Sequence, residues 1–186
     1  APTGKLKIGY VGSVGLWYLF EPVLECMRIL LKLHPDCHLE IFNRDEHAFL
    51  QKKILEYRLP QKQVIIEALS FAECAKRMRL FHGSLFFIKP VFSKKASAPT
   101  KLGELLGSGV PCLTNAGVGD VEDILVGEGV GVVIKNFSND SLIDGVTRFL
   151  ELLKTPNIST RCRKTAEKYF SLEHGVKAYD GIYRHL

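Results

Sequence analysis

Residues 97–111 read S-A-P-T-K-L-G-E-L-L-G-S-G-V-P and place a helix start beside ionisable side chains at helical spacing. Pro99 and Thr100 begin the helix, so its unpaired amide groups and the positive end of its dipole favour a phosphate. Thr100 and Glu104 stand four apart on one face, which sets Glu104 one turn along from those amides. A carboxylate there can accept both hydroxyls of a ribose, whereas an acid against the phosphate itself would be repelled. Lys101 is three residues before Glu104 and can serve a diphosphate or pair with Glu104. The loop Gly12-Ser13-Val14-Gly15 is a second candidate, because glycines let a ligand approach the backbone closely and a following helix offers amides to an anion. A plain tight strand-to-helix turn is the alternative reading of that loop.

With Gly9 the loop reads G-x-x-G-x-x-G rather than the G-x-G-x-x-G of dinucleotide folds. Asn43 follows the second strand, where such a fold wants an acid for the ribose. Both features disfavour a dinucleotide-dependent oxidoreductase. Other residues have structural readings. Asp120 can cap a helix, His82 precedes a buried strand without a partner at ligand spacing, and Trp17 reads as core at the start of a helix, with stacking on a base as its alternative.

The elements that must position these residues alternate along the chain. Short apolar runs at residues 6–11, 38–42, 63–68, 84–88, 110–114 and 129–134 read as buried strands. Helices are expected after the glycine loop, with Pro22 in the first turn, then over 45–57 and 70–79, from Thr100 and from Asp120. Ser70 and Glu73 form a capping-box pair. From Ser138 onward the pattern is helical only, with Ser171 placed to cap the last helix. This order predicts an α/β, Rossmann-like open parallel sheet of about six strands, with helices on both faces and a helical C-terminal tail. In such a sheet ligands bind beyond the carboxyl ends of the strands, where both candidate segments fall.

The 186 residues suit a single domain over 1–186, since single cores split only beyond roughly 250–300 residues. Apolar and charged fractions of 46% and 24% are those of a folded globular chain and exclude wholesale disorder. The formal charge of +5 suits phosphates on a small ligand or an anionic membrane surface and does not demand nucleic acid. Five cysteines without C-x-x-C spacing point to buried thiols in a reduced compartment, not to disulfides or zinc. No apolar run approaches the roughly 20 residues of a membrane-spanning helix.

The run S-x-P-T-K-x-x-E-x-x-x-x-G-x-P resembles the donor-site signature of GT-B glycosyltransferases, in particular the retaining group-1 type that builds bacterial surface glycans. The first loop with Trp17 and Tyr18, Gly119-Asp120 and Phe170-Ser171-Leu172-Glu173 extend the resemblance over nearly the whole chain. It implies the C-terminal, donor-binding half of a two-domain transferase. Such a half binds a UDP- or GDP-sugar without a metal, and an N-terminal half holds the acceptor glycan or lipid. The implied setting is the cytoplasm or the cytoplasmic face of the membrane, with peripheral association. By the same resemblance Glu104 binds the donor ribose, Ser97, Thr100 and Lys101 meet the diphosphate, and Gly12, Ser13 and Gly15 face the phosphates from the other side. Asn43, Glu67 and Ala68 fall where the base is contacted. Ala96 stands where the family's first glutamate belongs, and the first loop lacks the family's arginine and lysine, which leaves Lys94, Lys95 and Lys101 as cations for the diphosphate. The Ala96 substitution keeps open a non-catalytic nucleotide-binding or interaction module with the same fold.

Overall fold

A computed structural model describes residues 5–184. The strands are β1 (Lys7–Val11), β2 (His38–Phe42), β3 (Val64–Glu67), β4 (Gly83–Leu85), β5 (Cys112–Asn115) and β6 (Gly131–Ile134). They form one six-stranded sheet in the order β3-β2-β1-β4-β5-β6, and every pairing is parallel. The order reverses direction between β1 and β4, which makes the crevice beyond those two strands the expected ligand site.

Alternation along the strands divides the core. On one face Ile8, Tyr10, Leu39, Ile41, Leu85 and Leu113 pack against α1 (Glu21–Leu33), α2 (His47–Glu56) and α6 (Asn139–Leu153). On the other, Val11, Phe42, Phe86 and Cys112 pack against α3 (Phe71–Met78), α4 (Thr100–Gly107), α5 (Val121–Gly127) and α7 (Ile158–Phe170). A final helix, α8 (Leu172–Tyr183), follows α7 directly. Both faces are therefore covered, as a parallel sheet requires. Leu102, Leu105 and Leu106 give α4 its buried side.

Several expectations hold in detail. Pro22 lies in the first turn of α1, and Ser70 and Glu73 make a complete capping box on α3. Others shift. The glycine loop does not open α1 directly: residues 16–20 intervene, and Tyr18 bridges antiparallel to both Gly15 and Ile88. Leu19 N–H donates to Phe87 O and Lys89 N–H to Trp17 O, each at 2.9 Å, so this segment is held by the chain leaving β4. For the same reason β4 ends at Leu85 instead of running to Ile88. Both backbone polar groups of Ile88 bond the buried Asn115 side chain at 2.9 Å. Asp120 occupies the position before α5, but its side chain makes no capping hydrogen bond. Ser171 lies between α7 and α8, its carbonyl accepting from Gly175 N–H at 3.0 Å.

All five cysteines are free, four of them buried and Cys74 half-buried, and burial pushes the Cys26, Cys37 and Cys162 thiols up to about 12. Among the described residues no helix is long and apolar enough to cross a membrane.

His82 has the structural role expected of it. Its Nδ1 accepts from Lys7 N–H at 2.9 Å, which ties the start of β4 to β1. Burial lowers its pKa from the ordinary 6.5, and the Lys7 charge adds to the effect. The folded state thus holds the neutral ring, while the unfolded chain takes up a proton first as pH falls. Stability is complete above 6.5 and declines as pH drops from there through the lowered folded value. The melting temperature should fall between pH 7.5 and 5.5, and His82→Gln should flatten that slope; an unchanged slope would assign the acid sensitivity elsewhere.

Candidate functional site at the carboxyl edge of the sheet

A cleft of about 240 Å³ opens where β1 and β2 end, walled by the start of α3 and by α4. Gly12, Ser13, Asn43, Phe71, Cys74 and Lys101 are among its lining residues. Gly12 has φ +126°, a conformation side chains rarely adopt, and a Cβ there would point at Lys101 Cε, 3.9 Å away. The loop after β1 and the first turn of α4 therefore face each other across the cleft.

The loop is braced from beneath. Tyr10 OH donates to Ser13 O at 2.7 Å, and burial raises the Tyr10 pKa, with the Tyr18 and Glu46 charges adding, so the phenol keeps its proton. Asn43 is buried and donates from Nδ2 to Gly12 O at 3.0 Å and to Glu46 Oε2. Its Oδ1 accepts from Asp45 N–H at 3.2 Å and Glu46 N–H at 2.8 Å. Glu46 Oε1 also accepts from Val14 N–H at 3.3 Å. Both ends of the Asn43 side-chain amide are thereby engaged inside the protein, which fixes Asn43 beneath the loop at the floor of the cleft.

Glu67 is likewise engaged. Its carboxylate pairs with Arg77 at 2.7 Å, and Arg77 also bonds the buried Glu40 at 2.9 Å, which Lys7 meets at 3.3 Å. Arg77 further lies over the Phe42 ring, 5.0 Å from its centroid. This network ties α3 to β2 and β3 and draws Glu67 away from the cleft.

On α4, Lys101 Nζ meets Glu104 Oε2 at 2.7 Å, and each side chain remains about one-third exposed. Lys101 reaches the cleft, while Glu104 stands behind it on the next turn. Both are close enough to act on Cys74, whose thiol is raised by burial, lowered by Lys101 and raised again by Glu104. Thr100 is exposed at the first turn of α4, which Pro99 precedes without a side-chain cap, and Ser97 is half-buried in the approach to it. Gly15 lies apart from the cleft lining, at the turn that bridges to Tyr18. Ala96 is exposed.

The structure also brings in residues that spacing did not single out. Arg44, Asp45 and Glu46 form a charged rim, and Phe71, 75% exposed at the first position of α3, offers an aromatic face. Phe71 follows the Ser70 cap after the third strand, so the rule that ligands bind beyond strand ends carried a signal for it. Trp17, expected in the core, is 45% exposed, with Lys94 Nζ 4.8 Å from its ring centroid. The cause is the antiparallel bridging of residues 15–18, which turns this segment outward before α1 begins.

The family model of glycosyl transferases group 1 matches residues 1–169. The chain belongs to this family. No curated protein matches it. Among solved structures, S. aureus TarM in complex with fondaparinux, alpha-GlcNAc-glycerol and UDP aligns at TM-score 0.74 and 13% identity, over 98% of this chain and 37% of TarM. WaaG, a glycosyltransferase involved in lipopolysaccharide biosynthesis, aligns at 0.67 and 17%, over 91% of this chain and 43% of its own. The C-terminal domain of the Francisella tularensis group 1 glycosyl transferase LpcC aligns at 0.66 and 18%, over 91% of this chain and 88% of that domain. The fold is thus the Rossmann-like one of GT-B glycosyltransferases, and the chain spans less than half of TarM or WaaG but nearly all of the LpcC domain.

Proposed function

We propose that the chain is the donor half of a glycosyltransferase and binds a nucleoside diphosphate sugar in the cleft between the glycine loop and α4. The observation that carries this reading is Lys101, which enters the cleft opposite Gly12 while held by Glu104 at 2.7 Å. The diphosphate lies between the Gly12-Ser13 backbone and the free amides at the start of α4, near Ser97 and Thr100. Lys101 meets its charge, and Glu104, one turn further, takes the ribose hydroxyls once the phosphates draw Lys101 forward. Phe71 supplies a surface for the base. As the bond between the anomeric carbon and the diphosphate oxygen breaks, negative charge grows on the departing phosphate, and these fixed donors stabilise it without reorganising. No role in this scheme needs a metal or a general base from this half, which fits transfer with retention.

The acceptor, a glycan or a lipid-linked glycan, is assigned to a preceding half, and the buried thiols suit a reducing, cytoplasmic setting. TarM was crystallised with UDP, which makes UDP the first ligand to try. Calorimetric titration should give saturable binding of UDP or GDP and no measurable sugar transfer by this chain alone. Glu104→Ala should weaken that binding by about tenfold, the loss of a hydrogen bond to a charged group. Unchanged affinity would sink the ribose assignment.

Ala96, exposed where the family signature has an acid, favours a second reading, a nucleotide-binding module that no longer reads the sugar. The two separate on one comparison: a donor half binds the nucleotide sugar differently from the bare nucleotide, whereas such a module treats them alike.

A further inference from the structure

The two helices that wall the cleft are held in different ways. Leu102, Leu105 and Leu106 are all buried, so apolar packing seats α4 and with it Lys101. α3 carries Phe71 and Cys74 into the cleft on much less packing: Met78 is buried, Cys74 and Ala75 only in part. Its capping box links Ser70 to Glu73 and is internal to the helix start. Arg77 supplies the hold on the sheet. One guanidinium nitrogen, Nη2, meets Glu40 Oε2 on β2 at 2.9 Å and Glu67 Oε2 on β3 at 2.7 Å, while Lys7 Nζ stands 3.3 Å from the other Glu40 oxygen. Glu40 is 3% exposed in the middle of β2, a depth at which a carboxylate is costly unless it is paired and hydrogen-bonded. α3 must therefore lie where its guanidinium reaches both strands. The same group lies over the ring of Phe42, which itself lines the cleft.

We infer that Arg77 is a positioning residue for the nucleotide base, acting through α3 on Phe71; the inference rests on the reading of the cleft as a donor site. A planar guanidinium can bond two carboxylates and lie on a ring at once, which a single ammonium cannot. Arg77 thereby sets where Phe71 stands, and a base stacked on Phe71 depends on Arg77 without touching it. Glu67 serves the base in the same indirect way, by holding the helix that carries the ring. The diphosphate is met by the glycine loop and α4, which are seated independently of this network. Without Arg77 the Glu40 and Glu67 carboxylates, both drawn to one nitrogen, repel each other, and Lys7 is the cation left beside Glu40. Met78 and Phe81, whose ring lies against β1 at Gly9, keep the far end of α3 down. The end that bears Phe71 is the one released.

Arg77→Met should weaken UDP binding about fivefold, the lower end of what one base stacked on an aromatic ring contributes, and leave the binding of inorganic pyrophosphate unchanged. Phe71→Ala should cost at least as much for UDP, and adding Arg77→Met to it should cost nothing further, because the base then has no ring to be placed against. Arg77→Lys keeps a cation beside the buried Glu40 and so serves if the methionine variant misfolds; its UDP affinity should lie between those of the parent and Arg77→Met. A second readout needs no nucleotide. Cys74 is half-buried where the other four cysteines are buried, and it stands three residues from both Phe71 and Arg77. Iodoacetamide should alkylate it several-fold faster in either Arg77 variant than in the parent, with Cys74→Ser as the blank. Equal losses for UDP and pyrophosphate would overturn the inference, as would a loss from Arg77→Met that persists in full in the Phe71→Ala background. An unchanged alkylation rate would overturn it too, and with UDP binding intact in the parent it would leave the donor reading standing. A parent that binds neither UDP nor pyrophosphate, while Arg77→Met still speeds alkylation, would sink the donor reading and with it the base, leaving Arg77 only as the hold on α3.

Discussion

Lys101→Ala is expected to weaken UDP binding by about tenfold to a hundredfold, more than any other single change in the cleft. Removing a charge-assisted contact costs about 1.5–3 kcal/mol, and each 1.4 kcal/mol is tenfold in affinity. The ion pair adds to this. In the parent, Lys101 neutralises Glu104 at 2.7 Å. Without it the carboxylate is left facing the phosphates it sits behind. Glu104→Ala should be the milder variant, and a double-mutant cycle of the two measures how far the ribose and diphosphate contacts are coupled. Uridine, which has no phosphate, should bind parent and Lys101→Ala alike. An equal loss for uridine would mean that Lys101 supports the fold of the cleft and not the diphosphate.

Gly119→Ala is expected to give the largest loss of stability among the glycine substitutions near the site. Gly119 has φ +46°, and a Cβ there would stand 2.1 Å from the backbone oxygen of Ser97. Its N–H also donates to Lys94 O at 2.9 Å, so the turn after β5 and the segment before α4 are joined backbone to backbone. Neither side can yield by rotating a side chain. The left-handed backbone costs about 1–2 kcal/mol for a residue with a Cβ. Overpacking adds about 1–3 kcal/mol. A thermal melt should show a drop of roughly 10 °C for a domain of this size. Because Ser97 leads into the first turn of α4, UDP affinity should fall as well. Gly127→Ala is the control: it lies in α5 with nothing within 4 Å of a Cβ, so its melt should equal or slightly exceed the parent's. A Gly119→Ala melt indistinguishable from the control would show that the segment before α4 shifts without cost.

The two loops at the switch point show why some features were readable and others were not. The apolar run of β1, the capping box at Ser70 and the buried leucines of α4 are local: burial periodicity and backbone hydrogen-bonding groups within a few residues decide them. The fate of residues 15–20 is different. They were expected to lead straight into a helix, with Trp17 in the core, yet they bridge to Ile88 and point Trp17 outward. Their partners lie some seventy residues away, and no local propensity encodes that pairing. Asn43 shows the same limit. Its position after the second strand was visible, but only packing reveals that both ends of its amide are used on Gly12, Asp45 and Glu46.

For the segment 97–111, residue types alone determined that a helix begins at Thr100 and that Lys101 and Glu104 stand one turn apart, because helix starts and side-chain spacing follow from proline geometry and the helical repeat. The parallel sheet, with ligands beyond the carboxyl ends of its strands, was implied by the alternation of strands and helices, whereas the strand order came from the tertiary structure. Tertiary structure alone decided that Lys101 faces Gly12, that Glu104 stands behind it, that Phe71 enters the cleft and Glu67 leaves it. These are contacts between side chains from different strands and helices, and their geometry exists only once the sheet has brought those elements within a few ångströms of each other.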